Sequence, residues 1–254
     1  MIPEEKVAVF APYLEKFETE HVRLYCEDMI KLIPDYIFDI PSSTSGKYHN
    51  ATQCQPHGQI YHIVMFASVM NYRLELECNK EKFKSPEQRD AMRCTPFFHD
   101  AVKCGWNGGK WTVHEHPMLA GEWVRNTKVE HDVDDKVKEA IARMCERHSG
   151  QWVSNKKSSV ILPKPENAME AFVHECDILS SRADIDMQPP EYLKVIYGEA
   201  EAPKPVSIED YKVSFPKHMG KTLLQIQDED PGYITWMKSK DDWREPIKTF
   251  LQQL

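Results

Sequence analysis

Residues 58 to 77, GQIYHIVMFASVMNYRLELE, read as a helix that is apolar almost all round, with Ile60, Ile63, Val64, Phe66, Ala67 and Val69 on its several sides. A helix without a solvent face has to be enclosed by other elements. His62 sits inside this run and points at protein whichever way the helix turns. A buried imidazole needs a hydrogen-bond partner or a metal in place of its lost hydration. One segment therefore demands a sizeable core and a polar point within it. A chain of 254 residues, 41% of them hydrophobic, can supply that core as one large domain with a small appendage.

The rest of the chain reads as mainly α. Residues 4–33 carry Val9, Tyr13, Phe17, Leu24, Met29 and Leu32 at roughly helical intervals and read as helix until Pro34 and Pro41 break the pattern. IPSSTSGKYHN, residues 40–50, is a Ser, Thr and Gly loop, and further helices fit 86–103, 117–126, 133–148 and 166–182. Prolines 189, 190, 203 and 205, with GEAEA between them, suggest a linker over 189–206. The expected organisation is a helical domain over 1–188, that linker, and a small α+β module over 207–254. In the module KVSF alternates like a strand, KHMGKT turns at Gly220, and LLQI, PGYITWMK and DDWREPIKTFLQQL read as short helices.

Composition narrows the function classes. A net charge of −8 works against a broad, nonspecific grip on DNA, which needs many Lys and Arg on phosphates. A small anionic substrate or a local groove stays open, and a bound divalent cation would reverse the repulsion locally. The longest apolar run, 60–70, is interrupted by His62 and too short for a bilayer, and MIPEEK lacks the features of a signal peptide. A cytoplasmic protein without a membrane partner is expected. Seven cysteines with no C-x-x-C pair fit reduced thiols.

The inward-facing polar residues carry the chemistry. The stripe Val137, Ile141, Met144 continues to His148, and Asp177 lies one turn beyond Val173 at the edge of an apolar face. In PFFHDAVK, His99 and Lys103 stand four residues apart on one helical face, with Asp100 rotated by about 100°. In WTVHEHPMLAGEWV, Pro117 marks a helix start and leaves His116 at its lip. A lone inward imidazole is more often a hydrogen-bonded core residue than a ligand. Separate helices that each supply a nitrogen or carboxylate donor suit a first-row metal. His57 is a rival first ligand, and His49, His114 and His174 are candidates for outer positions, His174 as a group orienting Asp177.

The order H…HD…H…H…D resembles the HD-domain superfamily of metal-dependent phosphohydrolases. The likeness is carried by SSTSGKYH (42–49), the His62 helix, FFHDAVK (97–103), HEHPMLA (114–120), ERHSGQW (146–152) and VHECDILSSR (173–182), and spans about residues 40–185. It implies an HD-domain helical bundle in which His62, His99, Asp100 and Asp177 hold one divalent ion. Asp100 would bridge to a second ion held by His116 and His148, and Mn, Co, Fe, Ni, Zn or Mg would serve. Lys103 falls at the lysine of the HD-x-x-K variant and would contact phosphate or polarise the reaction centre. Metal-activated water would then attack a phosphoester. Ser42, Ser43 or Thr44 would donate hydrogen bonds to the phosphate, and Trp152 or Trp106 would stack a base.

The expected substrate is a small nucleotide, foremost a (deoxy)nucleoside 5′-monophosphate. The alternative is phosphodiester cleavage in single-stranded nucleic acid or cyclic nucleotides. The C-terminal FPKHMGKTLLQI…DPGYITWM resembles a module found after the catalytic domain of exonuclease-X-type proteins, which implies a nucleic-acid setting. Together the two resemblances imply nucleotide metabolism in a phage or bacterium.

Overall fold

A computed structural model describes the chain apart from residues 44–48, 157, 183, 186, 199–206, 214, 241–242 and 244–246. It forms two compact units, Met1–Ala200 and Glu201–Leu254. The first contains α1 (Pro3–Leu14), α2 (Glu20–Lys31), α3 (Gly58–Glu75), α4 (Glu77–Lys82), α5 (Pro86–Phe98), α6 (His116–Asn126), α7 (Asp135–Arg147), α8 (Ala168–Ser181) and α9 (Glu191–Tyr197). The second contains α10 (Leu223–Glu229), α11 (Pro231–Lys238) and α12 (Ile247–Gln253). The protein is mainly helical. Among the described residues no helix is long and apolar enough to cross a membrane.

The enclosed helix is α3, buried continuously from Gly58 to Ala67 and packed by α5 and α8, with α7 on α5 and α6 beyond it. α1 also packs on α3, and α2 packs on α1 and α5; Phe10 of α1 meets Phe38 and Phe97, and Phe98 is edge-on to Tyr25. Side-chain caps start two of the helices that carry site residues. Asp134 accepts from the amides of Lys136 and Val137 at 2.8 and 3.0 Å to open α7, and Asn167 accepts from Met169 and Glu170 at 3.0 Å to open α8. Each satisfies amides that a helix's first turn leaves unpaired.

Several sequence-based boundaries are corrected. The helix expected over 4–33 is two helices, because the carboxylate of buried Asp90 accepts from the amides of Glu18 and Thr19 and from the Thr19 hydroxyl. Those amides are thereby diverted from a continuing helix. The helix expected over 86–103 ends at Phe98; residues 99–106 wind on as turns, with Ala101 N donating to Phe98 O and Lys103 N to Asp100 O, both at 3.0 Å. Part of the stretch read as linker, 191–197, is α9. It packs through fully buried Leu193 and through the Tyr192 hydroxyl, which donates to Val9 O at 3.0 Å.

The second unit has a core of its own, made of Val213, Leu223, Ile226, Ile234, Met237, Phe250 and Leu251. Thr222 and Gln225 form a reciprocal capping box at the start of α10. The expected α+β character is not seen: among the described residues its β content is one antiparallel bridge, Lys212 to Thr222. Among the described residues KVSF contributes Lys212 to that bridge.

Candidate metal centre

The first unit brings five helix segments to one point. His62 is 2% exposed in the middle of α3. His99 and His148 are the residues that close α5 and α7, and His116 opens α6 just before Pro117. Asp177 lies in α8. The carboxyl ends of α5 and α7 carry partial negative charge from their unpaired carbonyls, which favours a cation beside them.

The local fold also orients three of the rings. His99 Nδ1 donates to Pro96 O at 3.0 Å, His116 Nδ1 to Val113 O at 2.7 Å, and His148 Nδ1 to Cys145 O at 2.7 Å. A carbonyl can only accept, so in each ring Nδ1 carries the proton and a neutral ring keeps its lone pair on Nε2. All three Nε2 atoms lie near the Asp100 carboxylate. His116 Nε2 and His148 Nε2 are 3.3 Å apart, with Asp100 Oδ1 at 3.0 and 3.9 Å from them. On the other side of Asp100, His62 Nε2 lies 3.2 Å from His99 Nε2 and 3.1 Å from Asp177 Oδ1, and His99 Nε2 is 3.3 Å from Asp100 Oδ2.

Imidazole nitrogens and carboxylate oxygens therefore converge on both sides of Asp100. Among the described residues buried Asp100 Oδ1 has no hydrogen-bond partner, with His116 Nε2 3.0 Å away. Among the described residues His62 Nδ1 is likewise without one. Two groups of donors lie close enough to share an ion, His62 with His99 and Asp100, and Asp100 with His116 and His148. Imidazole and carboxylate are the donor set of first-row divalent ions. The residues present fit a metal, since a cation supplies the positive charge that facing acceptors otherwise lack.

Electrostatics agree with that fit. Burial, reinforced by His99, pushes the His148 imidazole down to about 3, and burial lowers His62 against the pull of Asp177. Both rings are thus neutral and able to bind metal at neutral pH. Burial by itself would raise the Asp100 carboxyl, but Lys103 and His99 hold it well below the usual range. His62 does the same for Asp177, and Asp100 in turn raises His99 against burial.

For the metal-free chain this fixes the sign of a pH effect. Depressed His62 and His148 leave the unfolded state with more bound protons once pH falls below about 6.5, whereas raised His99 is protonated in both states there and adds nothing. The expected net loss is about 1.4 kcal/mol per pH unit from His148 alone between about pH 6 and 5, with His62 adding to it, and Asp100 and Asp177 contribute only below about pH 4. Urea denaturation of metal-free protein at pH 7 and pH 5 checks this; equal stabilities at the two would contradict it.

Lys103 closes one end of the cluster. Its ammonium donates to Asp100 Oδ2 at 2.6 Å, to Gln59 Oε1 at 2.9 Å and to Ser42 Oγ at 3.4 Å. Because the helix ends at Phe98, Lys103 folds back over Asp100 instead of sharing a helical face with His99. Gln59, fully buried, also donates to Asp100 Oδ2 at 3.0 Å and so ties carboxylate and lysine together. Sequence reasoning missed Gln59. The available signal was an amide side chain on a helix with no solvent face, one turn before His62.

A cavity of about 410 Å³ opens from the cluster, lined among others by Ser42, Ser43, Thr112, Ser149, Trp152 and Arg182. Ser42 is buried and Ser43 lies on the wall; Thr44 lies outside the described residues. Trp152 stands at the cavity with its ring 53% exposed and edge-on to His174, whereas Trp106 is not in the lining.

The outer histidines divide. His49 is in the lining, 5.5 Å from the His62 ring, and donates from Nδ1 to Gln53 Oε1 at 3.0 Å. Gln53's amide nitrogen is committed to Ser180 O at 2.7 Å, which leaves its oxygen as the acceptor. His57 is away from the cluster, donating to Phe38 O at 2.6 Å and stacked on Tyr197. His114 donates to Val160 O, and His174 donates to His148 O at 2.6 Å, so it steadies the chain at His148 and not Asp177. Gly150 lies directly against the His174 ring at φ 58°, where a Cβ would meet ring atoms at 1.9 Å.

No family model, no curated protein and no solved structure matches the chain.

Proposed function

We propose that the chain is a metal-dependent phosphohydrolase of the HD type that acts on nucleotides, foremost as a phosphomonoesterase of (deoxy)nucleoside 5′-monophosphates. The observation that carries this reading is the meeting of His116 Nε2, His148 Nε2 and buried Asp100 Oδ1, whose mutual distances are 3.3, 3.0 and 3.9 Å. His62, His99, Asp100 and Asp177 would hold one ion, and Asp100, His116 and His148 a second. When bound, the ions supply a water of lowered pKa and a counter-charge for phosphate oxygens. The chain's own groups do the rest. Asp100 keeps the two halves of the cluster in register, while Lys103 and Gln59 hold its Oδ2. Ser42 and Ser43 offer hydroxyl donors on the wall where phosphate oxygens would lie. Trp152 presents an aromatic face to a base.

The cavity volume suits a mononucleotide. A screen with Mn, Co, Fe, Ni, Zn and Mg against nucleoside monophosphates, triphosphates, cyclic dinucleotides and labelled single strands tests the reading. Inorganic phosphate from monophosphates supports it; shortened strands without phosphate support the diesterase alternative; no turnover with any metal overturns both. Lys103→Met is expected to keep bound metal and lower kcat by about 100-fold, since it removes a fixed positive charge beside the reaction centre. Metal content and steady-state kinetics check this, and equal loss of metal would contradict the role.

A further inference from the structure

Two loops grow directly out of the cluster. One leaves from Lys103 and returns at His116; it is pinned by Val113 N donating to Lys103 O at 3.0 Å and by the Tyr36 hydroxyl donating to Gly105 O at 3.1 Å. The other leaves from His148 and is closed by Leu162 N donating to Val153 O at 2.9 Å. His114 joins them by donating to Val160 O at 3.1 Å, as does Ser158 by donating to Glu115.

Their composition is at odds with the rest of the chain. Residues 103–114 and 148–164 carry Lys103, Lys110, Lys156, Lys157 and Lys164 and no Asp or Glu, in a chain of net charge −8. Among the described residues none of Lys110, Lys156 and Lys164 is held in an ion pair, unlike most basic groups of this unit. The nearest acid in sequence, Glu115, is engaged by Ser158. The same loops expose Trp106, Trp111 and Trp152 by 51, 62 and 53%, and Lys110 lies 5.1 Å over the Trp111 ring. Large rings left in water beside unpaired ammonium groups match the two faces of a nucleic acid strand, bases for stacking and phosphates for charge.

Length decides between a strand and a single nucleotide. Trp152 lines the cavity, but Trp106 and Trp111 do not, so a mononucleotide seated on the cluster does not reach them. A duplex hides its base faces within the stack. We infer that this rim binds single-stranded nucleic acid, with one phosphate at the cluster and further nucleotides on Trp106, Trp111 and the loop lysines. The inference rests on reading the cluster as a phosphohydrolase centre, and deepens it by making the phosphate of a strand a substrate.

Equilibrium binding of a labelled oligothymidylate of about 12 nucleotides to the full chain, with thymidine monophosphate as competitor, tests this. Trp106→Ala/Trp111→Ala is expected to weaken strand binding by about tenfold or more. Lys110→Gln/Lys156→Gln is expected to reduce the slope of log affinity against log salt by about 1.4, at about 0.7 per lysine. Neither pair should change metal-dependent hydrolysis of a small aryl phosphate. Wild-type protein that holds the strand no better than the mononucleotide, or variants that both bind it like wild type, would overturn the inference. Strand binding with these responses but no aryl phosphate hydrolysis under any metal would instead sink the phosphohydrolase reading and leave the rim as a binding surface.

Discussion

Asp100→Asn is expected to abolish metal-dependent turnover, by well over the roughly 100-fold that losing a group behind a metal ligand costs. Asp100 is the one residue shared by both groups of donors, and its two oxygens face different histidines. Asparagine keeps the shape but replaces one acceptor oxygen with a donor nitrogen and removes the charge. The substitution also strands Lys103, buried with Asp100 as its only ion-pair partner among the described residues. Leaving a buried charge unpaired costs about 3–5 kcal/mol, so Asp100→Asn alone should melt earlier. Asp100→Asn/Lys103→Met removes that penalty, and should recover stability while staying inactive and depleted of metal. Metal analysis, thermal melts and turnover on the three chains check this. Wild-type rates in Asp100→Asn would end the catalytic assignment.

A stability effect of similar size is expected away from that cluster, at Asp90. Its fully buried carboxylate accepts from the Glu18 amide, from the Thr19 amide and hydroxyl at 2.7 Å each, and from Arg93 at 2.7 Å. Arg93 is 2% exposed and also reaches Glu18, Glu75 and Asn71, while Arg89 reaches Glu18. Asp90→Ala leaves Arg93 short of a buried partner and two amides at the α1–α2 turn without an acceptor. Loss of about 3–5 kcal/mol is expected, read as a lower denaturant midpoint with unchanged metal content. A shift under about 1 kcal/mol would place the pair among surface-like ion pairs and contradict the account.

These two residues mark what the sequence makes legible. The apolar surround of His62 and the stripe ending at His148 are local patterns, and local patterns dictated burial in both cases. Asp177 at the edge of a helical face followed from the same periodicity. The break between α1 and α2 did not, because its cause is a carboxylate about seventy residues away, and both halves keep helical spacing by themselves. The end of α5 was equally hidden: FFHDAVK has no Gly or Pro at the stop, and His99 keeps helical dihedrals and its amide bond to Thr95 O while its ring takes Pro96 O. Gln59 escaped notice because an amide announces no chemistry until its partners, Asp100 and Lys103, are known. The helix within 191–197 was masked by flanking prolines; its order comes from Leu193 and Tyr192 meeting the core, a tertiary effect.

The central claim is that these donors hold a cation, and anomalous diffraction from crystals of the chain loaded with Mn or Zn tests it most directly. An anomalous peak is expected bounded by His116 Nε2, His148 Nε2 and Asp100 Oδ1, at about 2.0–2.1 Å from the nitrogens for Zn, with a second beside His62, His99 and Asp177 at higher metal concentration. A map without a peak in either place, from protein that remains folded, would contradict it.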